Sequence, residues 1–411
     1  MKNFKVWLLI ISTSLSFSIN ASTKEPQPLH LYLDADFTTM SAAANAIELG
    51  INTALSEENH QVNGYQIKII TKNHRGNSRR SAKHLQQFIE DKNAIAVFGG
   101  LHSPPLLSNK DFINQQQILT LVPWAAAGPI TRSTNQENWI FRLSIDDSNA
   151  GEFIINQALN QGFKKPYLLL ENTGWGHSNL KKMSQALRNK NIQGVGVKRF
   201  NWGLNNSQAR LILHDIVAVK PDVIIFVGNS PEGIIFAKEL AALNSGITIR
   251  SHWGVTGGNF ARQVTIKERD IINLQFIQTK FSFISSPPTP KSKRVFNLLT
   301  QISSITAPKD IPATAGFIHA YDLTRLFIGA LKQVQLTGDK TIDSKALHQA
   351  LENLEAPVSG LIKTYHKPFS QYSQQHSNAH EALDSADYRM GFYDADNAIR
   401  LINLDSELQK Q

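Results

Sequence analysis

Two short apolar runs that stop at loop-forming residues are the feature that most constrains this fold. Ala94–Phe98 opens into Gly99–Pro105, and Ile118–Val122 opens into Pro123–Pro129. Runs that are apolar throughout and stop at glycine, serine and proline are typical of buried parallel strands. Open α/β sheets bind small ligands at the carboxyl ends of such strands. Since neither loop carries a recognisable catalytic set, the feature favours binding of a small molecule over its transformation.

The same alternation of apolar runs and amphipathic segments continues along nearly the whole chain and predicts βα units with parallel sheets. The predicted strands are Leu29–Leu33, Gln66–Thr71, Ala94–Phe98, Ile118–Val122, Pro166–Leu170, Val195–Phe200, Val223–Val227, Ile247–Ser251, Leu274–Thr279, Tyr388–Tyr393 and Ala398–Ile402. The later predicted helices are Ala150–Gln161, Ser178–Lys190, Asn206–Val219, Pro231–Leu243, Lys293–Ile305, Ala313–Val334 and Ser344–Leu354. Because the unit length is similar in both halves, we expect the two halves to share one architecture.

Residues 1–21 have the layout of a cleavable secretory signal. Lys2 and Lys5 precede the apolar run Val6–Ile11, and a serine-rich stretch ends at Ala21. The run is too short to span a bilayer. We therefore expect an exported, soluble protein of the periplasm. The chain has no cysteine, which excludes disulfides, thiolate nucleophiles, cysteine metal sites and a cysteine-linked lipid anchor.

Length and charge narrow the class further. The rest of the 411-residue chain is longer than one hydrophobic core usually supports, so two lobes are expected. The net charge of +9 is not accompanied by a cluster of basic and aromatic residues. We interpret the charge as a solvated basic surface and expect no nucleic-acid partner.

Five short motifs follow one another in a characteristic order along this alternation. They are Gly99-Gly100-x-x-Ser103, Pro123-x-Ala125-Ala126, Phe141-Arg142, Trp175-Gly176 and Gly228-Asn229-Ser230-Pro231-Glu232. Their order and spacing resemble type I periplasmic binding proteins, above all the leucine/isoleucine/valine-, amide- and urea-binding proteins of ABC transporters. The resemblance covers nearly the whole chain after the signal. It implies an α/β fold of two Rossmann-like lobes with parallel sheets, joined by a three-segment hinge, with the ligand in the cleft between them.

The resemblance also implies lobe boundaries. Lobe 1 is expected to comprise residues 22–145 and 281–357, lobe 2 residues 146–280, and residues 358–411 a C-terminal segment with a hinge crossing and the edge of lobe 2. The crossings are expected near Ser144–Asp147, Thr279–Ser282 and Val358–Lys363.

Four candidate ligand-binding residues lie in the two loops of the first lobe. Ser103 precedes two prolines, and a serine hydroxyl at a helix start suits an anionic group, although Ser103 could instead cap its own helix. The resemblance aligns Ser103 with a carboxylate-binding serine. It also places Ala125 and Ala126 where relatives present backbone groups to the ligand, although relatives usually have Thr or Ser at the position of Ala126. Trp124 occupies a position that is commonly alanine, which predicts an aromatic pocket wall.

Tryptophans concentrate near predicted strand ends: Trp124, Trp175, Trp202 and Trp253. This placement favours aromatic walls for a flat, apolar or cationic ligand, with core packing as the alternative for each ring. Trp175 is the strongest candidate, because Thr173-Gly174-Trp175-Gly176 resembles the family loop with a ligand-stacking tyrosine. Trp253 lies in a glycine-rich loop that follows a strand.

Polar candidates are fewer. Asp146 is placed either to pair with a ligand ammonium or to cap the next helix, and the sequence leaves both open; for Asp147 capping is favoured. Asn229 aligns with a position where relatives often have a contacting tyrosine. Glu171 ends its strand and is a weaker candidate for a cation partner.

Enzyme motifs are not recognisable. Gly228–Gly233 has one residue too many for Gly-x-Ser-x-Gly, and no Gly-x-Gly-x-x-Gly or phosphate-binding lysine motif follows a strand. His376, His380 and Glu381 have a spacing that is common by chance, so they are a weak metal-site candidate. We expect no enzymatic activity, no cofactor and no metal.

The sequence thus predicts a monomeric periplasmic protein that captures a small polar or amphiphilic ligand, amino-acid- or amide-like, and delivers it to an ABC permease. The main alternative is a sensor that presents its closed form to a membrane receptor. An α/β hydrolase is the weaker alternative.

Overall fold

Two β-sheets organise the chain, and the structure, a computed structural model, describes residues 28–132 and 137–402. The first sheet contains β1 (Leu29–Ala35), β2 (Gln61–Val62), β3 (Tyr65–Asn73), β4 (Ala94–Gly99), β5 (Thr120–Val122) and β6 (Ile140–Arg142). Its strand order is β2-β3-β1-β4-β5-β6, and every neighbouring pair is parallel except β2 with β3. The carboxyl ends of β4 and β5 therefore meet at one edge of this sheet.

The second sheet takes strands from the middle and the end of the chain. It contains β7 (Pro166–Glu171), β8 (Gly196–Phe200), β9 (Val223–Val227), β10 (Thr248–Ser251), β11 (Gln275–Thr279), β14 (Tyr388–Tyr393) and β15 (Ile399–Leu401). The order is β15-β14-β11-β10-β9-β7-β8, and the pairs that involve β14 are antiparallel. A separate hairpin is formed by β12 (Val358–Ser359) and β13 (Thr364–Tyr365).

Helices surround both sheets. In chain order they are α1 (Ser41–Ser56), α2 (Ser78–Glu90), α3 (Ser103–Gln115), α4 (Asp147–Asn160), α5 (Gly174–Asn189), α6 (Asn206–Ala218), α7 (Ser230–Leu243), α8 (Phe260–Gln263), α9 (Ile266–Ile271), α10 (Pro290–Ile302), α11 (Thr314–Gln333) and α12 (Lys340–Glu352). α1–α3 and α10–α12 belong with the first sheet and form lobe 1, whereas α4–α9 belong with the second sheet and form lobe 2. This arrangement confirms the predicted α/β fold with two lobes.

Helices α1 and α11 of lobe 1 pack against each other with their backbones unusually close. A Cβ atom at Gly50 would lie only 2.4 Å from the carbonyl oxygen of Phe317, so the two backbones approach closely only because residue 50 is glycine. On the other side of α11, a Cβ atom at Gly316 would lie 2.4 Å from the indole of Trp124. The absence of side chains at these two positions lets α11 sit between α1 and the loop after β5.

The chain crosses between the lobes three times. The first crossing joins β6 to α4 and the second joins β11 to α10. The hairpin after α12 remains in lobe 1, because the Asp322 carboxylate on α11 accepts hydrogen bonds from the backbone N–H groups of Leu361 and Ile362 at 2.6 and 3.0 Å. The predicted crossing near Val358–Lys363 is therefore wrong.

The third crossing lies further along the chain. Residues 380–382 still pair with the end of β6, where the Ala382 N–H donates to the Arg142 carbonyl at 2.9 Å. Only beyond this point does the chain enter lobe 2 at β14. The third crossing runs beside the second. Lys280 of the second crossing forms a salt bridge of 2.7 Å with the Asp387 carboxylate, and its backbone N–H donates to the Asp387 carbonyl at 2.8 Å.

Helix capping explains a difference of four residues between a predicted and an observed helix start. α5 begins at Gly174 rather than Ser178, because the Thr173 hydroxyl accepts a hydrogen bond from the Gly176 N–H. The first turn of α5 therefore carries Trp175 directly at the carboxyl end of β7. The sequence-based prediction also omitted β2, β6, α8, α9 and the β12–β13 hairpin. All are short.

None of the described helices is long and apolar enough to cross a membrane. The predicted secretory signal at residues 1–21 lies outside the described residues.

Candidate ligand-binding cleft

A small cavity lies between the lobes at the carboxyl ends of both sheets. Lobe 1 contributes Leu101, His102, Ser103, Pro104, Trp124 and Ala126, and lobe 2 contributes Glu171, Trp175, Trp202, Asn229, Trp253 and Gly254. The cavity volume is about 10 Å³, room for one water molecule. A ligand can therefore enter only if the lobes separate or the surrounding rings turn.

Aromatic rings bridge the two lobes around this cavity. Trp124 packs on Trp253 with ring centroids 5.4 Å apart, and His102 packs on Trp202 at 5.0 Å. Trp253 also contacts His319 of α11 at 5.0 Å. Because each pair joins one lobe to the other, separation of the lobes would change the surroundings of three indoles at once.

Glu171 is the charged group of the cavity. Its carboxylate is fully buried and accepts hydrogen bonds from the Thr173 hydroxyl at 2.5 Å, the Trp202 indole at 3.0 Å and the Asn229 amide at 3.1 Å. Burial raises the pKa of Glu171 to about 7, although the bonds from Thr173 and Trp202 oppose the shift. Near neutral pH, Glu171 therefore exchanges a proton where a ligand would bind.

Glu171 should make the stability of the protein depend on pH. Its pKa is higher in the folded chain, about 7, than the ordinary value of 4.5. The folded state thus holds a proton that the unfolded state has lost, so this contribution to stability declines as the pH rises from about 4.5 to 7. Glu171→Gln should remove that decline, worth on the order of 3 kcal/mol. Urea unfolding at pH 5 and pH 8 measures it, and equal pH slopes in both proteins would contradict the assignment.

Several buried polar atoms at the cavity have no hydrogen-bond partner among the described residues. These are Nδ1 of His102, Nε1 of Trp124 and Oδ1 of Asn229. The other ring nitrogen of His102 lies 3.2 Å from the Asp36 carboxylate, so it carries the proton and Nδ1 is an acceptor. Leaving such groups unpaired costs about 1–3 kcal/mol each, so a ligand with both donors and acceptors would gain from meeting them.

A second, larger cavity of about 400 Å³ opens beside the second crossing. Phe281, Phe283, Ile311 and Tyr393 are among its lining residues. It contains none of the sequence-predicted ligand residues. Within the described chain, no buried side-chain atom that lacks a partner belongs to its lining residues. We therefore place the candidate site in the smaller, aromatic cavity.

Comparison with known proteins identifies the family to which this chain belongs. The family model described as "Periplasmic binding protein" matches residues 34–382, most of the chain. The chain belongs to this periplasmic binding protein family. It is a family of binding proteins, which confirms the prediction that the chain is not an enzyme. A comparison with curated protein sequences gives no match.

Several solved structures have the same fold at low sequence identity. A type 1 periplasmic binding protein from Bordetella pertussis Tohama I is 14% identical with a TM-score of 0.74, over 92% of this chain and 100% of that one. An ABC transporter solute-binding protein from R. palustris, in complex with benzoate, is 16% identical with a TM-score of 0.72, over 92% and 95%. A substrate-binding protein from Desulfitobacterium hafniense, in complex with Leu, is 14% identical with a TM-score of 0.68, over 92% and 100%.

Ser103 lies at the carboxyl end of β4 and lines the cavity. Ser103 is the first residue of α3 and does not cap its own helix; its hydroxyl oxygen accepts the Ala127 N–H at 3.2 Å. Pro104 and Pro105 have no N–H, so Ser103 is the only one of the first three residues of α3 with an N–H group. An anion at this helix start would therefore meet the Ser103 hydroxyl and fewer backbone N–H groups than a helix start without prolines would offer.

Ala125, Ala126 and Asp146 do not share one environment. Ala126 lines the cavity, whereas the Ala125 carbonyl accepts a hydrogen bond from Arg142 at 3.2 Å, away from it. Asp146 is also remote from the cavity lining, with its carboxylate 2.6 Å from Arg142 and 2.9 Å from Arg132. Asp146 is the N-cap residue of α4, but its carboxylate pairs with two arginines and does not line the cavity, which disfavours its interpretation as a ligand partner.

Arg142 is the centre of a buried ion network at the crossings. It is fully buried and binds Asp146 of the first crossing together with Glu381, both at 2.6 Å. Burial opposes ionisation of Asp146, yet the Arg142 and Arg132 guanidinium groups hold the pKa of Asp146 below its usual value. Glu381, which the sequence offered together with His376 and His380 as a weak metal-site candidate, forms its ion pair with Arg142 instead. The network ties the first crossing to the segment that leads into the third.

Asp147 positions Trp175 rather than capping α4. Its carboxylate oxygen Oδ1 accepts the Trp175 indole N–H at 3.1 Å and lies 3.1 Å from Nε2 of His252. Trp175 is buried beside His252, with ring centroids 5.0 Å apart at an angle of 83°. The indole is therefore fixed at the cavity by a buried carboxylate from the start of the next helix.

Among the lining residues that were not candidates, two carry rings that contact each other across the lobes. His102 and Trp202 both follow strand ends, as the recognised residues do, and Trp202 was noted only as one of four such tryptophans. Their contact across the lobes is set by two loops that are distant in sequence. Position after a strand was the available signal, but it does not give the direction of the side chain.

Proposed function

We propose that this protein binds one small solute between its two lobes and delivers it to an ABC permease. The observation that carries the proposal is the aromatic cavity to which both lobes contribute buried, unpartnered polar atoms. Groups from both lobes are satisfied together only in a closed, liganded form. The ligand would therefore stabilise closure by its differential affinity for the closed state. A closed, liganded form is one that a permease can distinguish from the open form.

The polar groups favour a ligand with two chemically different ends. Ser103 and the Trp124 indole offer donors on lobe 1, suited to a carboxylate or carbonyl oxygen. Asn229 Oδ1 and the Glu171 carboxylate offer acceptors on lobe 2, suited to an ammonium or amide N–H. The indoles between them suit a flat or cationic body. An amino-acid- or amide-like ligand of amphiphilic character fits this arrangement best.

The solved relatives suggest which ligands to test first. One of them was solved with benzoate and another with Leu. Among the residues that line this cavity, none is Lys or Arg, and the one ionisable carboxylate is Glu171. A zwitterion or a neutral amide should therefore bind better than a simple benzoate anion, because its donor end can neutralise or hydrogen-bond Glu171.

Ligand capture should be visible in native mass spectrometry and in tryptophan fluorescence. We expect protein purified without denaturation to carry one small molecule per chain. Thermal unfolding with L-leucine, L-phenylalanine, leucinamide and benzoate then ranks the classes, and binding should shift the intrinsic emission because three indoles lie between the lobes. A protein that holds no small molecule, and shows neither a thermal shift nor a fluorescence change with any of these classes, would contradict the proposal.

A further inference from the structure

A second cluster of ligating side chains lies in lobe 1, remote from the cavity residues. His348 and Glu352 are one helical turn apart on α12, and His380 comes from the segment that pairs with β6. One ligating atom from each of these three residues lies within 4.8 Å of the others. Both imidazoles are buried, and Glu352 is partly buried.

Backbone carbonyls determine which ring nitrogens are free. Nε2 of His348 lies 2.9 Å from the Asn138 carbonyl oxygen, and Nδ1 of His380 lies 3.2 Å from that of Ile140. A carbonyl oxygen only accepts, so each of these nitrogens carries a proton. In the neutral rings, Nδ1 of His348 and Nε2 of His380 are therefore unprotonated, and each has a lone pair that can bind a metal ion. A backbone acceptor on the far nitrogen is the usual support of a metal-ligating histidine.

Both free nitrogens face one carboxylate. Nε2 of His380 lies 3.1 Å from Oε1 of Glu352, and Nδ1 of His348 lies 3.8 Å from Oε2. In a tetrahedral site with bonds of about 2.0–2.2 Å, ligand atoms are separated by about 3.3–3.6 Å. The ligating atoms here lie within 4.8 Å of one another, so the three side chains would have to move closer together to share one ion. Without an ion, one proton shared by His380 and Glu352 would explain their contact of 3.1 Å. It would leave Nδ1 of His348 without a partner, because 3.8 Å from Oε2 of Glu352 is too long for a hydrogen bond. A cation between the three groups would satisfy all of them.

Aromatic rings hold the imidazoles in place. His348 packs on Trp139 with ring centroids 4.3 Å apart, and His380 stacks on Phe141 at 3.8 Å with the planes 17° apart. The backbone N–H of Tyr372 donates to Oε1 of Glu352 at 3.2 Å. The ligating groups are thus oriented by packing and hydrogen bonds before any ion arrives, as an effective metal site requires.

We propose that His348, Glu352 and His380 bind one Zn²⁺ ion, with water as the fourth ligand. Two imidazole nitrogens and one carboxylate form a donor set that suits Zn²⁺ rather than Mg²⁺ or Ca²⁺, which prefer oxygen ligands. The ion would fasten α12 to the segment that leads into the third crossing. The site revises the expectation of no metal, and it uses His380 but neither His376 nor Glu381.

Zinc titration of tag-free mature protein, stripped with a chelator, tests the proposal. We expect one Zn²⁺ per chain by isothermal titration calorimetry and a higher melting temperature with zinc, since an ion that binds only the folded state stabilises it. His348→Gln and His380→Gln should each lower the affinity for Zn²⁺ by at least about 100-fold. His376→Gln, an exposed histidine in the same segment, is the matched control and should bind as the wild type does.

Two results would overturn the zinc site. One is a wild-type protein that takes up no stoichiometric Zn²⁺ and shows no rise in melting temperature. The other is undiminished stoichiometric binding in His348→Gln. If His380→Gln fails to fold, the wild-type titration and His348→Gln still decide the question. Co²⁺ added to the stripped protein gives an independent readout, because tetrahedral coordination produces strong visible absorption that His348→Gln should abolish.

Discussion

Replacement of Arg142 by leucine is expected to lower the free energy of unfolding by about 3–5 kcal/mol, the cost of breaking a buried ion pair by removing one partner. Arg142 is fully buried and its guanidinium contacts Asp146, Glu381 and two backbone carbonyls. Leucine would leave two carboxylates with only Arg132 as their cation. Chemical unfolding at pH 7 measures the loss.

An ion pair whose arginine is exposed supplies the control. Arg210 bonds Glu239 at 2.7 Å, but the Arg210 side chain is 66% exposed. Arg210→Leu should therefore lower the unfolding free energy much less than Arg142→Leu does. Equal losses in the two variants would show that the network at the crossings does not stabilise the fold beyond an ordinary surface pair.

Truncation of Trp175 to alanine is expected to reduce ligand affinity by about 2–4 kcal/mol, because a buried aromatic in a closed cleft commonly dominates binding. Its indole lines the cavity and is fixed by Asp147. Affinity for the co-purified molecule, or for the best member of the panel above, should be measured per folded molecule by calorimetry. Trp175→Phe should retain part of the affinity, since it keeps a ring and loses only the indole N–H.

Replacement of Trp139 is the control that distinguishes a loss of ligand binding from a loss of stability. It is buried in lobe 1 but does not line the cavity. Trp139→Ala should lower stability by about 3–5 kcal/mol and leave the ligand affinity of folded molecules unchanged. If Trp175→Ala behaved in the same way, Trp175 would be a core residue, and the binding surface would have to lie nearer to Trp253 and Asn229.

The strands and the loops that follow them could be predicted because their signals are local. β9 is apolar and buried throughout, and its predicted bounds agree with Val223–Val227. Ser103, Trp124 and Trp175 follow such strands, so their positions at one edge of a sheet follow from the parallel topology. The structure brings these three residues together with Ala126, Asn229 and Trp253 around one cavity.

Contacts between distant segments could not be predicted in this way. Asp146 pairs with two arginines because a loop and a strand end converge on it, and no local pattern encodes that convergence. The family resemblance placed the third crossing near Val358–Lys363, whereas the Asp322 carboxylate of α11 binds the backbone of that segment and the crossing lies near residues 383–387. His380 meets His348 for the same reason: their separation along the chain hides their proximity.

The discontinuity of lobe 1 has a consequence for the order of folding. Most of lobe 2, from α4 to β11, is one uninterrupted stretch that only β14 and β15 join from the end of the chain. In lobe 1, by contrast, α1 packs mainly against the distant α11, and Asn63 bonds the Leu331 carbonyl across 268 residues of sequence. Contacts of such high sequence separation form slowly, since a long loop must close first. We therefore expect lobe 2 to assemble earlier, while the apolar face of α1 remains uncovered until α11 is available. That interval is when a newly synthesised chain would be most prone to aggregate.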